Sequence, residues 1–140
     1  MYKFAWRWMI RRNLRALGRG DIAPLLGGYA DDAVLVFPGT SSWGGEHRGK
    51  AAIATFLRRF VEAGLVGEVH EILVNGPPWR TRVCVLFSDR ALNAHGDLVY
   101  ENRAMLFGRA VWGKIVYQED FEDTHKVEAF DAYLADPASG

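Results

Sequence analysis

The sequence predicts an α+β fold: helices first, then an antiparallel meander of strands, with the helices gathered on one face of the sheet. Three observations lead there. Residues 4–17 and 50–63 carry apolar side chains at helical spacing. From residue 66 onward, four long runs rich in β-branched and apolar residues follow one another. Between those runs stand Gly76-Pro77-Pro78, His95-Gly96-Asp97 and Trp112-Gly113, which break a strand or turn it back.

Taken in order, residues 4–17 place Trp6, Met9, Ile10, Asn13, Leu14 and Leu17 on one helical arc and Arg7, Arg11, Arg15 and Arg19 on the opposite one. Phe4 and Trp8 fall on the basic side, which reads either as a solvated face with two stray aromatics or as a partner surface. Gly18 and Gly20 stop this helix. Asp21 can cap a short helix over 22–29, with Pro24 in its first turn. Residues 33–37 form a strand ended by Pro38-Gly39. A loop over 40–45 and a strand stub lead to Gly49 and a helix over 50–63. There Ile53, Phe56, Leu57 and Phe60 recur at i, i+3, i+4 and i+7. Strands follow at 66–75, 81–94, 98–111 and 114–121. Asp123 or Thr124 can cap a last helix with Val127, Phe130 and Leu134 inward.

The 140 residues fit one domain spanning 1–140, large enough for a real core. Zero formal net charge gives no global field toward nucleic acid, so nucleic acid is not an expected partner. Cys84 is the only cysteine, which excludes an internal disulfide and fits a reducing compartment. No apolar run reaches membrane-spanning length, and the first residues are too interrupted by Arg for a signal peptide. The expectation is a cytoplasmic protein without membrane contact. Residues 3–19 are basic and residues 119–136 acidic, which suggests that the two ends lie together or pair across a dimer. Residues 82–87 and 103–111 are apolar at both parities, so the outer sheet face should also be covered. A second copy of the chain is the simplest cover, giving an expected homodimer through the open sheet face.

Three pieces now stand in order: Tyr29-Ala30-Asp31-Asp32-Ala33-Val34, then Gly49-Lys50-Ala51-Ala52-Ile53, then Gly113-Lys114-Ile115-Val116 followed by Glu119-Asp120-Phe121-Glu122-Asp123. Together they resemble the SnoaL-like branch of the nuclear transport factor 2-like superfamily, over nearly the whole chain. The resemblance implies a cone, in which a curved antiparallel sheet wraps the N-terminal helices around a deep, mostly apolar pocket. Many members are dimers. Relatives include ketosteroid isomerases, limonene epoxide hydrolases, polyketide cyclases and scytalone dehydratases, along with proteins that only bind. Fold alone therefore leaves function open.

Asp120 stands where the epoxide hydrolases and cyclase-like relatives place a pocket acid on the last strand. A carboxyl in an apolar pocket has a raised pKa and can serve as general acid or base. Val116 and Gln118 should share its face. The epoxide hydrolases also use an Arg-x-Asp on an earlier strand. Here that region reads Val83-Cys84-Val85-Leu86-Phe87, and Glu101-Asn102-Arg103 has the residue types in another order, which argues against that reaction. Tyr29 could donate to a developing enolate, as in ketosteroid isomerases, or belong to a plain helix end. His47 follows the glycine loop as a pocket-mouth acid/base or a solvent-facing His. Phe37, Trp43, Phe56 and Phe60 are candidate aromatic walls, and Asn102 a candidate polar ligand contact. No metal-ligand spacing, phosphate loop or dinucleotide fingerprint occurs, so no metal or cofactor is expected. Two functions fit: acid–base isomerase, cyclase or hydrolase chemistry on a small apolar cyclic molecule, or a non-catalytic ligand-binding or dimerisation module that uses the basic helix as a surface.

Overall fold

The structure, a computed structural model, describes residues 1–139. Helix α1 (Tyr2–Gly18) and a short helix α2 (Ala23–Gly27) come first. Strands β1 (Tyr29–Phe37) and β2 (Gly45–Arg48) follow, then helix α3 (Lys50–Glu62). Four long strands come next: β3 (Leu65–Asn75), β4 (Thr81–Leu92), β5 (Leu98–Val111) and β6 (Lys114–Glu122). Helix α4 (Thr124–Ala135) and a 3-10 turn (Pro137–Ser139) end the described chain. Asp123 caps α4, its carboxylate accepting from the backbone N–H groups of His125 and Lys126.

The six strands form a curved, unclosed sheet in the order β2-β1-β6-β5-β4-β3. β3 to β6 are the antiparallel meander read from the sequence. β1 lies parallel to β6, the one departure from an antiparallel sheet, and β2 pairs antiparallel with β1. Residues 29–32 belong to this sheet rather than to a helix end. Gly28 closes α2, and Tyr29 is already paired with Ile115 across the sheet. Asp21 still supports the start of α2, accepting from the Ala23 N–H at 3.1 Å.

Alternation sorts the strands. In β4, Thr81, Val83, Val85, Asp89 and Ala91 are buried, while Arg82, Arg90 and Leu92 are exposed. The opposite parity of the meander also carries apolar groups, including the half-buried Cys84 and Leu86 and the exposed Met105 and Phe121. Helix α1 lays Trp6 against Ile72 and Val74 of β3, and α3 buries Ile53, Phe56 and Leu57. Each such side chain contributes roughly 1.5–3 kcal/mol on leaving water, which fixes the two helices against the inner sheet face. Phe4 and Trp8 are exposed, and the Arg12 guanidinium lies 4.8 Å above the Trp8 ring. Val127 and Phe130 of α4 are buried and Tyr133 packs against the core, whereas Leu134 is exposed because the last turn directs Tyr133 rather than Leu134 toward it.

The Arg48–Glu46, Lys50–Asp31 and Arg59–Asp131 ion pairs do not join the basic α1 to residues 119–136. Helix α1 packs on β3, at the opposite edge of the sheet from β2. No helix among the described residues is long and apolar enough to cross a membrane.

Candidate functional site

Strand β6 turns Gln118 and Asp120 to the inner face, and both are buried. Their register partners on β5 are Gly108 and Leu106, and Leu35 of β1 flanks Gln118 on the other side. Gly108 has no side chain to fill the space opposite Gln118. A cavity of ≈ 100 Å³ opens there. Helix α1 contributes Met9, Ile10 and Asn13 to it, α3 contributes Phe56 and Phe60, and β4 contributes Val83 and Val85. The walls are apolar apart from Asn13, Tyr29, Gln118 and Asp120.

These last three polar groups are linked. The Tyr29 hydroxyl donates to Gln118 Oε1, and Gln118 Nε2 donates to Asp120 Oδ1 at 3.0 Å. Burial pushes the Asp120 carboxyl up to about 7. The Gln118 hydrogen bond opposes this shift, and the Glu119 charge adds to it. Burial, followed by the Asp120 charge, also raises the Tyr29 hydroxyl well above its usual range. Asp120 can therefore hold or release a proton near neutrality inside an apolar cavity, while Tyr29 stays protonated as a donor. Val116 does not share this face. A bulge at Arg109/Ala110 shifts the register, so Ile115 lines the cavity in its place.

A second compartment lies on the other side of Phe56 and Phe60. It measures ≈ 20 Å³ and is bounded by Phe37, Trp43, Tyr100 and Phe130, with Asp89 and Glu122 as its acids. Trp43 reaches it because the 39–44 loop is tight: a Cβ on Gly44 would sit 2.2 Å from the Gly39 carbonyl oxygen. Arg59 donates to the Ser42 carbonyl at 3.0 Å and stacks 3.9 Å over the Trp43 ring, pinning that loop to α3. Burial first, then the charges of Glu122 and Asp120, raise Asp89 well above the usual carboxyl range. Glu122 is pushed up to about 7 by burial and the Asp120 charge, against hydrogen bonds from Tyr100 and Asp89.

The candidate residues divide between these places. Asp120, Tyr29, Phe56 and Phe60 line the larger cavity. Phe37 and Trp43 line the smaller one with Phe56 and Phe60. His47, on the edge strand β2, lines neither; its Nε2 lies 3.0 Å from the Trp43 carbonyl oxygen and its ring 4.8 Å from that of Phe56. Asn102 is buried but occupied structurally. Its Nδ2 donates to Tyr100 Oη and to the Asp123 carbonyl, each at 3.0 Å, and its Oδ1 accepts from the Arg103 N–H. Asp89 and Glu122 were not singled out by the sequence. Strict alternation from Thr81 would have turned Asp89 inward, and alternation from Asp120 does the same for Glu122. Among the described residues no group of three His, Cys, Asp or Glu side chains could hold a metal ion.

The SnoaL-like domain matches residues 10–118, from the middle of α1 to Gln118. This chain belongs to the SnoaL-like family. Solved structures share its fold. Bal32a, from a soil-derived mobile gene cassette, is 19% identical at a TM-score of 0.75, with 89% of this chain and 94% of that one covered. TerC, co-crystallized with polyporic acid, is 22% identical at a TM-score of 0.73, with coverage of 89% and 95%. An NTF2-like protein from Burkholderia pseudomallei is 21% identical at a TM-score of 0.71, with coverage of 86% and 92%. At these identities the likeness establishes a common NTF2-like fold for this SnoaL-like protein. No curated protein sequence matches the chain.

Proposed function

We propose that this SnoaL-like protein binds an apolar cyclic molecule in the larger cavity and performs acid–base chemistry on it through Asp120. One observation carries the reading: a buried carboxyl titrating near 7 faces an apolar cavity and is aligned by the Tyr29–Gln118 hydrogen bonds. Asp120 is the proton donor or acceptor, and Tyr29 and Gln118 orient it. Cofactor-free isomerase, cyclase and hydrolase chemistry all make use of a positioned group that gives or takes a proton near neutrality. The SnoaL-like match and the likeness to TerC support a ligand of this class.

The cavity of ≈ 100 Å³ is smaller than the roughly 150 Å³ known to admit benzene. A ring system therefore enters by displacing a wall. Helix α1 is the wall that can yield, because Met9, Ile10 and Leu14 face the cavity while only half-buried. The test screens apolar cyclic compounds, polyporic acid first, for binding and for turnover by the native chain and Asp120→Asn. Turnover that falls at least about 100-fold with binding retained is expected of a lost general acid or base. Turnover indifferent to Asp120→Asn defeats the catalytic reading, and ligand binding without turnover leaves a binding protein.

We also propose that the outer sheet face pairs with a second copy of the chain. Leu73, Met105 and Phe121 are exposed there, which a lone sheet face would not favour. Sedimentation at micromolar concentration gives a dimer if this holds and a monomer if it does not, and Met105→Glu should dissociate the dimer.

A further inference from the structure

The end of the sheet where β3 turns into β4 and β5 into β6 presents two tryptophans to solvent. Trp79, in the 76–80 loop, is 57% exposed, and Trp112, at the β5–β6 turn, is 69% exposed. Their ring centroids lie 5.8 Å apart. The Trp112 N–H donates to the Pro78 carbonyl at 2.8 Å, which ties the two turns into one unit. The 76–80 loop is itself tight: a Cβ on Gly76 would sit 2.2 Å from the Arg80 carbonyl oxygen. Trp112 does not suit its turn. Trp112 and Gly113 have φ of 49° and 81°, the pattern of a two-residue hairpin that Asn-Gly fills best. Among the described residues Trp112 is the one non-glycine at positive φ. A large apolar ring thus stands in water on a backbone that disfavours it, a strain of the kind that collects at functional places.

The surroundings are basic. The Tyr2 hydroxyl is hydrogen-bonded to Thr81 Oγ1, which donates to the Pro77 carbonyl at 2.9 Å, so the first turn of α1 joins the same end. Phe4 on that turn is 69% exposed. Lys3, Arg80, Arg82, Arg109 and Lys114 are exposed as well, and Arg82 and Arg109 are register partners. Residues 1–20, 72–88 and 102–118, which supply these side chains, contain no Asp or Glu. The Arg48–Glu46, Lys50–Asp31 and Arg59–Asp131 ion pairs use none of the five. The chain has zero formal net charge, so this end holds a local positive excess.

We propose that this end docks on an anionic lipid surface, with the Trp79 and Trp112 rings at headgroup level and the five basic side chains toward the lipid phosphates. Indole rings favour that boundary because one part is apolar and the N–H is wet. Exposed Lys and Arg beside it are attracted by anionic headgroups. A partner helix needs a groove to lie in, whereas two projecting turns suit a layer that they can enter. This replaces the expectation of no membrane contact, which rested on the lack of a spanning run; docking at the surface needs none. Ala110 and Ile115 line the larger cavity immediately behind the β5–β6 turn. Docking therefore brings that cavity to the phase in which an apolar ligand dissolves. The surface stands whether or not Asp120 does chemistry.

The test uses the full chain and vesicles of phosphatidylcholine alone or mixed equally with phosphatidylglycerol. The native chain should co-sediment with the mixed vesicles and not with phosphatidylcholine alone, and added salt should release it. Trp79→Ser with Trp112→Asn should weaken binding at least about tenfold; the Asn fits the turn, so the fold should be kept. Arg80→Gln with Arg82→Gln should weaken it roughly fivefold for each charge removed. Brominated lipid should quench the native fluorescence more than that of the double Trp variant. Four results overturn the proposal: no binding to the mixed vesicles at low salt, binding unchanged in the double Trp variant, tighter binding to a single-stranded oligonucleotide than to vesicles, or loss of a dimer in the double Trp variant, which would place a second copy on the pair.

Discussion

Asp120 and Glu122 lie two residues apart on the same inner face of β6, and both carboxyls are pushed up to about 7. Their surroundings are nevertheless opposite. Asp120 is the one acid facing a ≈ 100 Å³ apolar cavity, held by a neutral amide. Glu122 faces ≈ 20 Å³ and shares its hydrogen bonds with a second acid, Asp89, and with Tyr100. The comparison teaches that an elevated pKa marks burial, and that adjoining space decides whether a burial serves a ligand. The Glu122 side is packed to hold its own groups together, and the Asp120 side is left unfilled.

The largest effect expected from breaking this contrast is on stability. Asp120 moves from 3.8 to about 7 on folding, so between those values the folded chain holds a proton that the unfolded chain has released. Stability from this group therefore falls as pH rises through that window. Asp120→Asn removes the liability. It should be more stable than the native chain near pH 8, by up to about 4 kcal/mol, and the gain should vanish near pH 4. Urea denaturation at the two pH values measures this, and an equal effect at both would mean that Asp120 is not sealed from water.

Glu122→Ala is expected to act in the other direction. It strips Asp89 and Tyr100 of a shared acceptor and should cost about 1–3 kcal/mol, read as a lower urea midpoint. Gly108→Leu sharpens the contrast by filling the larger cavity. A Cβ there meets nothing closer than 3.8 Å, so the fold should survive while affinity for any cavity ligand drops at least about tenfold, or 1.4 kcal/mol. Calorimetric titration compares the two proteins. The smallest effect belongs to Tyr29→Phe. It deletes one hydrogen bond to Gln118, should cost about 1 kcal/mol, and should leave the titration of Asp120 near its native value by carboxyl NMR.

Much of this arrangement was legible in the sequence where a pattern is local. The apolar arc of α1, the Ile53–Phe56–Leu57–Phe60 stripe of α3 and the turns of the meander depend on neighbours within a few residues. Tyr29 is different. Its strand conformation comes from pairing with Ile115, a partner that periodicity near residue 29 cannot reveal. The same holds for Asp89 and Glu122. Residues 82–87 ahead of Asp89 are apolar at both parities, and Glu122 takes its face from Asp120, so alternation alone does not say which face is inner until α1 and α3 cover one of them. His47 on β2 lies beside Trp43, but the 39–44 loop turns Trp43 into the smaller compartment and His47 lines neither cavity. The bulge that replaces Val116 by Ile115 is a one-residue event with no composition signal.

The parallel pairing of β1 with β6 has a consequence in time. The Tyr29–Gln118 hydrogen bond spans 89 residues. At roughly 5–20 residues per second, a ribosome exposes Tyr29 on the order of 5–20 seconds before the strand that receives it. During that interval β1 has no neighbour on one side, and the apolar faces of α1 and α3 have only part of their sheet. The nascent chain is then most exposed to association with other chains. A messenger truncated before β6 would yield a product with every helix before α4, and most strands, but no Asp120 and no finished cavity. The acid arrives with the strand that closes the cavity, so an incomplete copy carries the apolar walls without the group that does chemistry.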